Sequence, residues 1–402
     1  MASFAYSFLL LLSSSHALQK DESTICAIGD LHGDANHALQ AFQLCNVVDG
    51  DGRWSGGAAT VIQTGDVLDR GNASLPLLYW LWSLREQAAA AGGDLVLMMG
   101  NHELLNMQGK TYYVDADELS GFGGKEAWKR AMHPQHGEIG HKLSAQPGVA
   151  VRGAGACRTL FLHAGLRLDI GQHYGSVENL NAALTSQVRS EARGDLLDSH
   201  YGPLWWRGYA RPHAAGLEES EACAEARAAI ASFGDGAVRM AVGHNIVPFV
   251  SSRCNGAVQM IDVGMSTAYG GRPAAWRCSI NGESGAAEVR ALYLEGEEPP
   301  PDLCDACDEA RRPPVHPLRG GDPHGDCRNY CRYNPRRLGS GGSSSSAGGG
   351  GGAAAAAAAT TAEGGGGGGS WSRLFAALGG GSGGGDAQQQ PAVETNHVKT
   401  EF

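Results

Sequence analysis

Short apolar runs recur at 24–28, 59–63, 95–98, 159–162 and 238–241, and each gives way within two residues to glycine, aspartate or histidine. Runs of four or five residues are strand length. An abrupt polar end is where the strands of an α/β sheet present their chemistry. Helical candidates fill the gaps, at 36–45 and 75–91. The longer intervals 108–146 and 171–236 are expected to be mostly helical and to cap whatever the strand ends carry. The pattern predicts an α/β domain whose working residues sit at one end of its strands.

Those ends read Gly29-Asp30-Leu31-His32-Gly33, Gly65-Asp66-Val67-Leu68-Asp69-Arg70-Gly71, Gly100-Asn101-His102-Glu103, His163-Ala164-Gly165 and Gly243-His244. They deliver oxygen and imidazole ligands one or two at a time, with glycines that let the backbone turn tightly. A two-metal phosphoester site needs such a set, with one carboxylate bridging two divalent cations and flanking ligands holding each ion. Asp66 is the natural bridge. Asp30 and His32 would complete one metal, and Asn101, His163 and His244 the other. Imidazole with carboxylate suits Mn, Fe or Zn better than Mg or Ca, and Mn is the expected pair of ions. Arg70 offers a planar guanidinium for bidentate recognition of a substrate phosphate. His102 is placed to protonate the leaving oxygen, with Asp69 orienting its imidazole. Glu103 is expected to fix backbone geometry and not to face the metals. Any one Gly-Asp or Gly-His is an ordinary turn. Five such elements in order, each after an apolar strand, are not.

This ordered set resembles the calcineurin-like metallophosphoesterases, and the Asp69-Arg70-Gly71 triplet resembles their phosphoprotein-phosphatase branch. Pro203-Leu204-Trp205-Trp206-Arg207-Gly208-Tyr209 and the stretch from Ile261-Asp262-Val263-Gly264 to Tyr269-Gly270-Gly271 resemble the Shewanella-like protein phosphatases of plants, algae and protists. The resemblance covers roughly residues 24–295. It implies a central β-sandwich flanked by α-helices, a di-metal centre and a second phosphate-binding arginine, carried over to Arg207. The substrate would be a phosphorylated protein or a small phosphomonoester. A dinucleoside-polyphosphate or nucleotide hydrolase shares this logic, but such relatives often carry Gln where His32 stands. An inactive binding scaffold would have lost a ligand or the acid, and all are present here.

The rest of the chain bears on address and boundaries. Residues 4–12 are apolar, and Ser15 and Ala17 form a small-x-small cleavage pattern, so 1–17 reads as a signal peptide. A secretory or extracellular location follows, with an organelle as the alternative. The ten cysteines all lie beyond that point. Six are scattered, at 26, 45, 157, 223, 254 and 278, and an even count in a secreted chain reads as disulfides. Cys304, Cys307, Cys327 and Cys331 cluster at spacings that admit either disulfides or zinc. The expected divisions are a catalytic domain at 24–297, a cysteine-rich appendage at 298–337 and a disordered tail at 338–402 rich in Gly, Ser and Ala. With 31 basic against 42 acidic side chains, the net charge is −11, which argues against a nucleic-acid partner. No apolar run approaches the length of a spanning helix, so no stable membrane insertion is expected.

Overall fold

A computed structural model describes residues 21–190 and 194–299. Its ten strands are β1 (Asp21–Ile28), β2 (Ala59–Gln63), β3 (Asp94–Leu97), β4 (Val149–Arg152), β5 (Thr159–Leu162), β6 (Arg239–Val242), β7 (Ser251–Arg253), β8 (Val258–Met260), β9 (Ala274–Ile280) and β10 (Ala287–Tyr293). They form two five-stranded sheets, ordered β10-β9-β1-β2-β3 and β4-β5-β6-β8-β7. The parallel pairings are β1–β2–β3, at one end of the first sheet, and β5–β6–β8, in the middle of the second, and antiparallel strands complete each sheet. The parallel strands are covered on both faces, so they read as continuous apolar runs without alternation. All four residues of β5 are buried.

Nine helices lie in the described residues: α1 (Ala35–Leu44), α2 (Ser74–Ala90), α3 (Asn101–Met107), α4 (Ala116–Gly121), α5 (Lys125–Met132), α6 (Glu138–Leu143), α7 (Leu168–Tyr174), α8 (Val177–Ser190) and α9 (Glu219–Ala231). Helix α2 packs on β3 and α1 on β9, while α8 packs on β4 and α9 on β6. The sheets meet through Phe161 and Trp276, whose rings stand edge to face at 5.9 Å. Trp276 Nε1 also donates across the layers to Gln259 Oε1 at 3.1 Å. The result is the expected mixed α/β sandwich flanked by helices. No helix of the described residues is long and apolar enough to cross a membrane.

Two features depart from the sequence reading. Strands β4, β7, β8, β9 and β10 were not among the five runs. Strands β7 and β8 are three residues each, too short to show a period. Strand β10 is largely exposed and carries Glu288 and Arg290, so its pattern is that of an edge. The interval 108–146 holds three short helices, but 194–218 is mostly irregular, with two single 3₁₀ turns.

Three disulfides tie the frame together: Cys26–Cys45, Cys157–Cys278 and Cys223–Cys254. The second joins the turn before β5 to β9, so it links one sheet to the other. It spans 121 residues, and on the chain-entropy account such a closure disfavours the unfolded chain by about 5 kcal/mol. The expected signal peptide, the four clustered cysteines and the Gly-rich tail lie outside the described residues.

Candidate metal centre

Apart from Arg207, the candidate residues follow strands closely, most on turns and Asn101 and His102 at the start of α3. Five of these are non-glycine residues at positive φ: His32 (44°), Asp66 (55°), Asp69 (72°), Arg70 (72°) and His244 (63°). L-residues pay for that conformation, and it persists only where neighbours enforce it. Glu103 is a main enforcer. Its carboxylate is fully buried and accepts from the backbone N–H groups of Asp66, Val67, Leu68 and Gly100 at 2.8–3.2 Å. The second strand-end turn is thus pinned to the start of α3. Glycine is required at position 100, because a Cβ there would strike the Asp66 carboxylate and backbone.

Asp66 lies at the centre. Its Oδ2 is 3.3 Å from His163 Nε2, 3.7 Å from His32 Nε2 and 4.0 Å from His102 Nε2. Two compact groups result, His32–Asp66–His102 and Asp66–His163–His244, and Asp66 belongs to both. Burial alone would raise its pKa, but His163, His102 and His32 outweigh burial and hold the carboxyl well below its usual range. Asn101 joins the second group, with Oδ1 2.8 Å from His163 Nε2. Asp30 stands beside it, accepting from the His244 backbone N–H at 3.1 Å.

These residues suit divalent cations on several grounds. His32 Nδ1–H donates to the Leu68 carbonyl at 3.0 Å, which turns Nε2 towards Asp66. His163 Nδ1–H donates to the Thr64 carbonyl at 2.9 Å, which likewise turns its Nε2 inwards. A metal-ligating histidine is oriented in this way by the bond its other nitrogen makes. His244 Nε2 is buried with no hydrogen-bond partner. Burial holds His32 down to about 3, and burial with the nearby Arg207 holds His244 well below its usual value, so both imidazoles are kept neutral, the form able to ligate a cation. Asp30 and Asp262 are buried and bonded to each other. Burial, then Asp262 and Asp66, raise Asp30, and burial pushes Asp262 up to about 6. Two carboxyls so placed need a shared proton or a cation.

A second arrangement faces the first metal group. His102 Nδ1–H donates to Asp69 Oδ2 at 2.6 Å, and its backbone N–H donates to Asp66 Oδ1 at 2.8 Å. Burial would lower the His102 pKa, but Asp66 and the Asp69 bond raise it above its usual value. Arg70 is exposed, and its guanidinium lies 3.9 Å from the centre of the Tyr113 ring. Arg207 lies on the His244 side, donating to the His244 carbonyl at 2.8 Å and to Asn245 Oδ1 at 3.0 Å. All ten sequence-nominated residues therefore gather at the strand ends, with the two arginines beside different parts of the cluster.

Sequence reasoning assigned no role to Asp262, Tyr113, Asn106 or Trp128. Asp262 appeared only inside a resembling stretch, and the other three lie outside the strand-end motifs. Nor did it find the clamp under the 265–269 segment. There Asp34 Oδ2 accepts from Thr267 N–H at 2.8 Å, and His37 Nδ1–H donates to the Met265 carbonyl at 2.6 Å. The segment carries Tyr269, whose ring is 5.3 Å from that of His32. The hydrogen bond to Asp34, together with its charge, raises the His37 pKa. The stability this pair contributes is therefore complete below the unfolded value of 6.5 and is lost as pH rises through the folded pKa. Urea unfolding of wild type against His37→Gln should differ by about 1 kcal/mol more at pH 5.5 than at pH 9. A difference that does not vary with pH would show that the charge on His37 contributes nothing.

Comparison with known proteins agrees with this geometry. The family model for calcineurin-like phosphoesterases matches residues 23–242. An uncharacterised Schizosaccharomyces pombe protein is 32% identical, over 67% of this chain and 81% of its own length. Shewanella-like protein phosphatase 2 of Arabidopsis thaliana is 30% identical, over 60% of this chain and 71% of its own. The crystal structure of a cold-active protein-tyrosine phosphatase from a psychrophilic Shewanella species shares the fold, with a TM-score of 0.54 at 22% identity, covering 69% of this chain and 84% of that one. The matched segment runs from within β1 almost to His244, and with the relatives' identity it makes this chain a member of the calcineurin-like phosphoesterases.

Proposed function

We propose that the chain is a di-metal phosphomonoester hydrolase and that its substrates are phosphorylated proteins, as the names of its Shewanella-like relatives describe. The observation that carries this reading is the pair of imidazole–carboxylate groups sharing Asp66, the second of which includes a buried His244 nitrogen left unpaired. Asp30, His32 and Asp66 would hold one ion, and Asp66, Asn101, His163 and His244 the other, with Mn expected and Fe or Zn compatible. When bound, the ions supply neutralisation of the phosphoryl oxygens and an acidified water nucleophile.

The chain's own residues do the rest. Arg70 and Arg207 bind the phosphate from either side of the cluster. The Tyr113 ring against Arg70 limits the swing of that guanidinium, so less freedom is lost on binding. His102 holds its second proton at Nε2, because Nδ1 is committed to Asp69. That proton goes to the ester oxygen as the phosphorus–oxygen bond breaks, so a neutral hydroxyl leaves in place of an alkoxide. Three disulfides suit an oxidising compartment, in keeping with a secretory or organellar address.

The test is phosphate release by the Mn-reconstituted chain from phosphopeptides and from diadenosine tetraphosphate in parallel. Release from the peptides with little cleavage of the dinucleotide is the expected result. The reverse would make the chain a nucleotide hydrolase. Silence on both with metal bound would make it a binding scaffold.

A further inference from the structure

The Asp69–His102 pair does not stand alone. Asn106, fully buried on α3 one turn after His102, reaches it from behind. Its Nδ2 donates to Asp69 Oδ1 at 2.9 Å and to the His102 carbonyl at 3.0 Å. Its Oδ1 accepts from Trp128 Nε1 on α5 at 2.6 Å. The indole N–H can only donate, so it dictates which end of the amide faces it and leaves Nδ2 for Asp69. Trp128 is itself fully buried and packs edge to face on Phe122 at 5.3 Å.

One Asp69 oxygen is therefore fixed by Asn106 and the other by His102. A carboxylate held at both oxygens cannot rotate, and the imidazole bonded to it is held in one orientation. The line of contacts begins at Trp128, in an interval the strand-end motifs do not reach. An indole N–H and an amide sealed in a core cost desolvation unless each finds its partner. Apolar side chains of similar volume would fill the same space without that cost.

We propose that Asn106, fixed by Trp128, is a positioning residue for proton delivery: it sets the Asp69 carboxylate and through it the aim of His102 Nε2. This rests on the phosphomonoesterase reading. Its signature is a dependence on the leaving group. Phenyl phosphate needs its departing oxygen protonated, whereas 2,4-dinitrophenyl phosphate expels a stable anion and does not.

The experiment uses the full-length Mn-loaded chain and both esters. Asn106→Leu should lower kcat on phenyl phosphate by about 30-fold with KM unchanged within about 2-fold, and on the dinitrophenyl ester by less than about 3-fold. Trp128→Phe keeps an aromatic ring and removes only the N–H. It should show the same selectivity with a smaller loss of about 5-fold. In metal-free protein, the downfield proton resonance expected for the 2.6 Å His102–Asp69 bond should be lost to exchange in Asn106→Leu. Equal losses on the two esters would overturn the proposal, and Trp128→Phe decides it alone if Asn106→Leu does not fold. Wild-type inactivity on both esters would instead overturn the phosphomonoesterase reading, and this inference with it.

Discussion

Replacing Asp66 with Asn is expected to empty both halves of the centre at once. Asp66 is the one residue common to the His32–Asp66–His102 and Asp66–His163–His244 groups, and its Oδ2 lies within 4.0 Å of three imidazoles. An amide keeps the shape but removes the charge, leaving Asp30 and His32 for one cation and Asn101, His163 and His244 for the other, each with one carboxylate fewer. Elemental analysis should fall from two metals per chain to near none. Turnover of a phosphomonoester should fall by more than about 10³-fold, since the Lewis acidity lost is worth several kcal/mol. Full metal occupancy in the variant would remove Asp66 from the bridging position.

His102→Asn separates chemistry from metal binding. Turnover of phenyl phosphate is expected to drop by about 10²–10³-fold while two metals remain, the range for loss of a positioned acid. The pH profile supplies the sign. Asp66 and Asp69 raise the His102 pKa above its ordinary value, so the protonated acid persists to higher pH and the rate should fall as pH rises through that raised pKa. In the variant that basic limb should disappear. Loss of a metal in place of the limb would make His102 a ligand, a reading its membership in the His32–Asp66 group keeps in view.

The candidate residues at the strand ends were legible in the sequence because each is adjacent to its strand in the chain. Asp30, Asp66, Asn101, His163 and His244 each follow an apolar run within a few residues, so order and spacing identify them together. Their supports are different. Asn106 meets Asp69 across 37 residues, and Trp128 meets Asn106 from another helix. Asp262 reaches Asp30 from a distant turn. Only folding creates those pairs, and no local pattern encodes them. The same holds for disulfide partners, where six cysteines allowed many pairings and the fold brings together three. Strands β7 and β8 stayed invisible because three residues cannot display a period.

The pairing of β9 with β1 carries a consequence for synthesis. β1 presents Asp30 and His32, yet one of its two neighbours is made about 250 residues later. At typical ribosomal speeds that delay is roughly 12–50 s. Throughout it, β1 can pair on one side only, with β2, and its other edge is an open template for unwanted pairing. Cys157 waits over much of the same period for Cys278. A nascent chain of this fold therefore keeps one edge of β1 and the Cys157 thiol exposed until β9 leaves the ribosome, whereas Cys26 can meet Cys45 early.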